Sequence, residues 1–327
     1  MTSKELVRKY VRFEGAARLP YDLPGDYGSD FATCDLSPIP DPFFNSDMNI
    51  KEWADEWGCV WRRLGNTMLG EVKNQVLVRY ADLDKLRVPD VEMDARWENV
   101  EKRLAENPDK YSVCNGISLW TRVNCLRGME DSLTDAYEYP DGLRELISIF
   151  VGMNRKISKR FAALGGDCLM LADDWGLQNT MQLNPYKWRE IWKPMYRQVF
   201  EDAHDAGLQV ILHSCGHIVA ILDDLIEIGL DIIHMDQQEN MGLELLGRRF
   251  GGRVTFFSPV DIQKTMCAGT DDEIRQYCRD MVKYLYKNGG GFIPRWYADP
   301  KGAGHSKEAL DVMCKEFLRL STQSDTN

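Results

Sequence analysis

Residues 208–217 read LQVILHSCGH. An unbroken apolar run ends in the polar string His213-Ser214-Cys215-Gly216-His217. An amphipathic helical pattern, Ile218–Ile228, begins at once and stops at Gly229. Runs that are continuously apolar, rather than alternating, suit strands covered on both faces. The same unit recurs on either side, at Asp167–Asp173 (DCLMLAD), Asp231–Asp236 (DIIHMD), Arg253–Ser258 (RVTFFS) and Gly291–Pro294 (GFIP), with longer helical stretches between. Those stretches carry end signals. Asn184-Pro185 reads as N-cap and first helical residue, Thr270 with Glu273 forms a capping box, and Pro194 is expected to kink or split its helix. This regularity predicts βαβ units and a parallel sheet.

Working upstream, Tyr111–Ile117 (YSVCNGI) is a further strand candidate, followed by a helix over about residues 140–163. Ala17–Leu23 (ARLPYDL) is a possible first strand. No Gly-rich phosphate loop follows an early strand, as a dinucleotide-binding sheet would want. The expected fold is therefore α/β, a closed (β/α)8 TIM barrel with an N-terminal excursion. Residues 1–320 form one domain on this reading, with 24–90 as a covering segment and 321–327 as a disordered tail. Within the excursion, 35–46 (DLSPIPDPFFNS) is a Pro-rich loop. Trp53, Trp57 and Trp61 fit either one face of a helix or a β-hairpin whose strand at 57–61 pairs with 71–80.

The chain has 327 residues, with 40 Lys+Arg against 51 Asp+Glu and a net charge of -11. No basic stripe offsets the acidic balance, which argues against a nucleic-acid surface. No apolar run approaches the roughly 18 residues of a membrane span, and the N-terminus lacks the apolar core of a secretory signal. Nine scattered cysteines, an odd number, suggest reduced thiols in a cytoplasmic protein rather than a disulfide framework.

Catalytic groups of a parallel barrel gather at the C-terminal ends of its strands. Those ends read Asp173-Asp174-Trp175-Gly176 with Gln178 nearby, His213-Ser214-Cys215, Asp236-Gln237-Gln238-Glu239, Pro259-Val260-Asp261 and Arg295-Trp296-Tyr297-Ala298-Asp299. Residues two apart in extended chain point the same way, so His213 and Cys215 can face one ion, and imidazole with thiolate suits zinc. The plainer reading is a capped strand end with a buried thiol. Asp173 and Asp174 point to opposite sides, so one can cap backbone N–H groups while the other faces the mouth. Trp57, Trp175, Trp296 and Tyr297 are candidates to line an apolar pocket, or simply core. Arg295 suits an anionic substrate group or an ion pair with Asp299. His204, in a helix, and His234, inside a strand, read as structural.

The chain resembles the uroporphyrinogen decarboxylase-like superfamily, in particular its corrinoid-dependent methyltransferases. The resemblance rests on Asp173-Asp174-Trp175-Gly176-Leu177-Gln178, Asn184-Pro185, His213-Ser214-Cys215-Gly216, Gly229-Leu230-Asp231, Val260-Asp261 and Gly289-Gly290-Gly291-Phe292, with Ala17-Arg18-Leu19-Pro20 and Glu56-Trp57-Gly58 upstream. It implies a (β/α)8 barrel and zinc held by His213 and Cys215. Some members add a cysteine after the last Gly-rich strand; this sequence has Pro294-Arg295-Trp296-Tyr297-Ala298 there. The further ligands are then sought among Glu239, Asp174, His217 and His305.

The function so implied is a cobalamin-dependent methyltransferase or demethylase. It would move a methyl group between a small methylated donor or acceptor, such as a methoxylated aromatic or a thiol, and a corrinoid-binding protein. No corrinoid-carrier motif is present in the chain, so the corrinoid comes from that partner. Asp174, Asp236 or Glu239 would supply a proton or orient a ligand. Trp57, Trp175, Gln178, Arg295, Trp296 and Tyr297 would contact substrate. The alternatives are a metal-free lyase acting on a tetrapyrrole, as uroporphyrinogen decarboxylase does, and a non-catalytic binding protein on the same barrel.

Overall fold

The computed structural model describes residues 1–40, 47–65, 67 and 70–323. Its strands are β1 (Phe31–Thr33), β2 (Glu52–Ala54), β3 (Val60–Arg63), β4 (Gly70–Val72), β5 (Tyr111–Asn115), β6 (Cys168–Ala172), β7 (Gln209–His213), β8 (Ile232–His234), β9 (Thr255–Ser258) and β10 (Phe292–Pro294). Seven of them form one sheet in the order β1-β5-β6-β7-β8-β9-β10. Every pairing in it is parallel. Sequential parallel strands need crossovers, and helices such as Pro140–Ala163, Pro185–Asp205, Val219–Glu227 and Asp271–Leu285 supply them. The fold is the expected TIM-barrel-like α/β architecture.

The join between the sheet's two edges differs from expectation. Residues 17–23 do not form a strand. Only Asp22 bridges, in parallel to Arg295 and antiparallel to Ser29. The Asp22 N–H donates to Pro294 O at 3.0 Å, and Asp22 O accepts from the Trp296 N–H at 3.1 Å. Pro20 has no N–H to give a ladder, which keeps this segment from extending into a strand. The first strand is instead β1, three residues long, in a stretch where the sequence shows no strand pattern.

The barrel interior is filled by Leu19, Tyr111, Val113, Cys168, Ile211, Ile232, Phe257 and Ile293, together with Val7, Tyr10 and Val11 from the helix Ser3–Val11. That helix opens with a Thr2/Glu5 capping box. Its Lys4 and Arg8 reach Asp167, just ahead of β6, at 3.1 and 2.6 Å. It therefore plugs the N-terminal end of the barrel and leaves the C-terminal end as the open mouth.

A larger core lies between the sheet and the outer helices. Asn184 caps the helix Pro185–Asp205, accepting from the Tyr186 N–H at 2.9 Å. Pro194 lies within that helix without splitting it. The capping box at Thr270 and Glu273 is present.

In the excursion, the hairpin alternative holds. Strands β2, β3 and β4 form an antiparallel sheet in which Trp61 pairs with Trp53 and Val72. The rings of Trp53 and Trp61 stack at 6.2 Å. Asp55 anchors this sheet to the barrel. Its carboxylate accepts from the N–H groups of Trp57 and Cys59 and from Nε1 of Trp61, and it pairs with Arg122 at 3.0 Å. Both side chains of that ion pair are buried. Part of the Pro-rich loop, residues 41–46, lies outside the described residues.

Ser321 was expected in a tail, but it belongs to the helix Lys307–Gln323 and is buried. Its hydroxyl donates to Leu19 O at 2.8 Å. Residues 324–327 lie outside the described residues. Among the described residues, no helix is long and apolar enough to cross a membrane.

Candidate metal centre at the barrel mouth

Alternation along the barrel strands carries interior stripes up to the mouth. Ile211 lines the interior, so His213 and Cys215 continue that face; Ile232 leads in the same way to His234 and Asp236, and Ile293 to Arg295. From β6, Cys168 leads by steps of two to Asp174.

The result is a compact polar group. Atoms of Asp174, His213 and Cys215 lie within 4.8 Å of one another, and so do atoms of His213, His234 and Asp236. Cys215 Sγ is 3.4 Å from His213 Nε2, and Asp174 Oδ1 is 3.3 Å from the same nitrogen. Tetrahedral zinc with usual bond lengths separates sulfur from nitrogen by about 3.6 Å, and nitrogen from oxygen by about 3.4 Å. Two of the separations among the three donors thus stand close to edges of a zinc coordination tetrahedron, and their N, S and O chemistry fits that ion.

Two loops must meet for this to happen. Gly176 N–H donates to Cys215 O at 3.1 Å, His217 N–H to Leu177 O at 2.8 Å, and Trp175 N–H to Ser214 Oγ at 3.0 Å. The Cys215 N–H donates to Asp174 Oδ1 at 2.8 Å, which aims the carboxylate at the thiol and imidazole. Gly216 adopts φ +76, a conformation that favours glycine.

The adjacent acids divide as alternation requires. Asp173 is fully buried and accepts from the N–H groups of Leu119 and Thr121 at 2.9 and 2.8 Å and from Tyr196 OH at 2.6 Å. Asp174 is exposed at the rim.

The electrostatics favour a cation. Burial pushes the Cys215 thiol up, and the His213 imidazole offsets only part of that. Burial alone would lower His213, but Cys215 and Asp174 together raise it well above its ordinary value. Burial, with Arg295 and His213 alongside, holds His234 well below its own. Tyr297 is pushed up to about 12 by burial and by Asp236, Cys215, Asp299 and Asp174. A divalent ion reverses this logic locally, deprotonating the thiol and freeing Nε2 of the imidazole.

The other expected site residues are placed unevenly. Asp236 and Arg295 are at the mouth. Arg295 stacks over Phe257 at 4.9 Å and contacts His234. Its Nε is buried with no hydrogen-bond partner among the described residues. Tyr297 lies 5.9 Å from His305, and His305 Nε2 faces Ile262 O at 2.9 Å. Trp296 is partly buried against the core. Gln178 is exposed in the turn after Asp174. Glu239 is drawn aside, accepting from Tyr277 OH at 2.8 Å.

Trp57 and Trp175 are not brought to the mouth. Trp57 is buried against Phe150 and Arg122. Trp175 is buried between Trp120, Trp188 and Trp192, with Nε1 donating to Tyr196 OH at 2.9 Å. Neighbouring Asp174 points to the mouth, so alternation sends Trp175 into the layer between sheet and helices. His234, read as structural, is instead central. The signal was available: it shares parity with Ile232 and Asp236.

Among solved structures, the fold is similar to a methyltransferase from Methanosarcina mazei, with a TM-score of 0.71, 13% identity, and 98% of this chain and 99% of that chain covered. It is more distantly similar to D-psicose 3-epimerase from Clostridium cellulolyticum H10, with a TM-score of 0.43, 14% identity, and 75% and 86% of the two chains covered. No curated protein sequence matches. Residues 64–294, well over half of the chain, match the family model for uroporphyrinogen decarboxylase (URO-D), and the chain belongs to that family.

Proposed function

We propose that this protein is a zinc-assisted methyltransferase. It moves a methyl group between a small methylated compound, a methoxylated aromatic or a thiol, and a corrinoid held by a separate protein. The observation that carries the reading is the Asp174–His213–Cys215 group, with its tetrahedral edge lengths, at the mouth of a URO-D-family barrel. The likeness of fold to the Methanosarcina methyltransferase agrees with it.

Zinc held by Nε2 of His213, Sγ of Cys215 and a carboxylate oxygen of Asp174 would polarise a methoxy oxygen or hold a thiol acceptor as its thiolate. The chain's own residues do the rest. The plugged lower end of the barrel excludes water from below, so methyl donor and acceptor approach each other only across the mouth. Asp236 lies next to the ligand set, its Oδ1 3.2 Å from Nε2 of His234, and orients that ring. Arg295, Trp296, Tyr297 and Gln178 are the residues we assign to substrate contact.

The family's name offers a second reading, a metal-free lyase acting on a tetrapyrrole. A substrate with many carboxylates needs several cations at the mouth. Here Arg295, the cation at the mouth, lies 4.0 Å from Asp236, and Asp174 stands with the ligand set. That charge balance favours a small neutral or aromatic substrate.

The test is metal analysis of the purified protein, joined to an assay of methyl transfer to a cob(I)alamin-loaded carrier protein. Near-stoichiometric zinc, abolished in His213→Ala and Cys215→Ala together with transfer, supports the proposal. Zinc-free protein with full activity, or decarboxylation of a porphyrinogen, sinks it.

A further inference from the structure

His234 ties the candidate ligand set to the rest of the mouth. Its Nδ1 is 3.0 Å from Nδ1 of His213, and its Nε2 is 3.2 Å from Oδ1 of Asp236. His234 and Asp236 are both buried. His213 meets Cys215 and Asp174 through its other nitrogen, Nε2.

A neutral imidazole has one N–H and one lone pair. For Nε2 of His213 to offer its lone pair to a cation, the ring proton must sit on Nδ1. That proton then needs an acceptor, because an unsatisfied buried donor costs free energy. The atom facing it is Nδ1 of His234. It accepts only when His234 carries its own proton on Nε2. Oδ1 of Asp236 stands opposite that nitrogen as its acceptor, 3.2 Å away. The proton positions are therefore fixed in sequence from Asp236 through His234 to His213.

Arg295 works against this order. Its Nη1 contacts both ring nitrogens of His234, more closely Nε2, and lies 4.0 Å from Asp236 Oδ1. A guanidinium only donates. It favours the other tautomer of His234, whose Nδ1–H points at His213 and leaves the His213 proton on Nε2. Asp236 and Arg295 thus draw the histidine pair toward a metal-accepting and a metal-refusing arrangement respectively.

We propose that Asp236 and His234 form a positioning relay that sets the metal-binding tautomer of His213, a role that rests on the zinc reading above. Neither residue needs to touch the ion. Hydrogen-bonded partners of this kind orient a ligating histidine, and losing one typically weakens metal binding about 10–100-fold.

Zinc affinity, measured by competition with a chromogenic chelator, tests the relay on the full-length chain. His234→Leu and Asp236→Ala should each weaken binding by about 10–100-fold. The double variant should bind no more weakly than His234→Leu, because Asp236 acts only through His234. His234→Asn, whose amide oxygen can stand where the ring Nδ1 accepts, should recover most of the affinity. A lowered melting temperature with unchanged zinc affinity, additive losses in the double variant, or an Asn variant as weak as the Leu variant would each overturn the relay. Wild type and His234→Leu binding zinc equally tightly would also overturn it while leaving the metal reading intact. Wild type that binds no zinc would overturn both.

Discussion

Gly176 and Gly216 lie backbone against backbone. A Cβ added to Gly216 would stand 2.3 Å from the carbonyl carbon and oxygen of Gly176, and one added to Gly176 would stand 2.2 Å from the His217 nitrogen. Through this contact the loop after β6 carries Asp174 onto the His213-Cys215 end of β7. Gly176→Ala forces the loops apart, because the obstructing atoms are backbone and cannot swing away. Overpacking of this kind costs about 1–3 kcal/mol. The zinc content of the purified variant should fall well below that of wild type, and its unfolding midpoint in urea should drop. An alanine variant with wild-type zinc content would show that the loops need no such clamp.

Asp173 and Asp174 should separate in kind. Asp173→Asn turns one oxygen of a fully buried acceptor into a donor that faces N–H and O–H groups. Leaving such groups unsatisfied costs about 1–3 kcal/mol each, so the variant should be strongly destabilised. With zinc removed from both proteins, Asp174→Asn, at the exposed rim, should unfold like wild type to within about 0.5 kcal/mol. As purified, it should nevertheless have lost most of its bound zinc. Denaturant unfolding and metal analysis of the two proteins decide the matter. Equal destabilisation of both would contradict the division of roles.

Arg122→Met probes the anchor of the excursion. It leaves the Asp55 carboxylate buried without its cation, a change that costs about 3–5 kcal/mol at buried pairs. Restoring neutrality with Asp55→Asn in the same chain should return part of that loss. Urea unfolding of the single and double variants measures it. A single variant as stable as wild type would mean that Asp55 is reached by water.

The βαβ series from β6 to β10 was legible because each strand, buried on both faces, is an unbroken apolar run. β1 was not, since three residues carry no pattern. Neither was the closure at Asp22, which depends on two backbone hydrogen bonds that any residue could make. The tryptophans of the excursion fitted helix and hairpin equally, because spacing by four places residues on one face of either. At the mouth, parity along β7 puts His213 and Cys215 on one face, and their donor atoms do lie close together. The same rule, applied to β8, recruits His234 beside Asp236, and applied to β6 it sends Trp175 to the core. Glu239 is turned to Tyr277 because the chain enters a short helix after Asp236, where side chains no longer alternate.

His204 gives the pH prediction. Its Nε2 lies 2.8 Å from Asp231 Oδ2, and the same carboxylate accepts the Val210 N–H at 2.8 Å. The hydrogen bond to the Asp231 carboxylate raises the imidazole above its ordinary value, with burial opposing. A group raised on folding stabilises fully below its unfolded pKa, about 6.5, and loses that contribution as pH rises through the higher folded value. The His204 side chain is 38% exposed, so solvent screening keeps the effect below about 1 kcal/mol. Wild type should therefore exceed His204→Gln in stability by more at pH 5.5 than at pH 8.5, the gap closing by a few tenths of a kcal/mol or about that order. Urea unfolding of both proteins across this range reads it directly. A gap that stays constant, or widens with pH, would show that the imidazole is not charged in the folded protein.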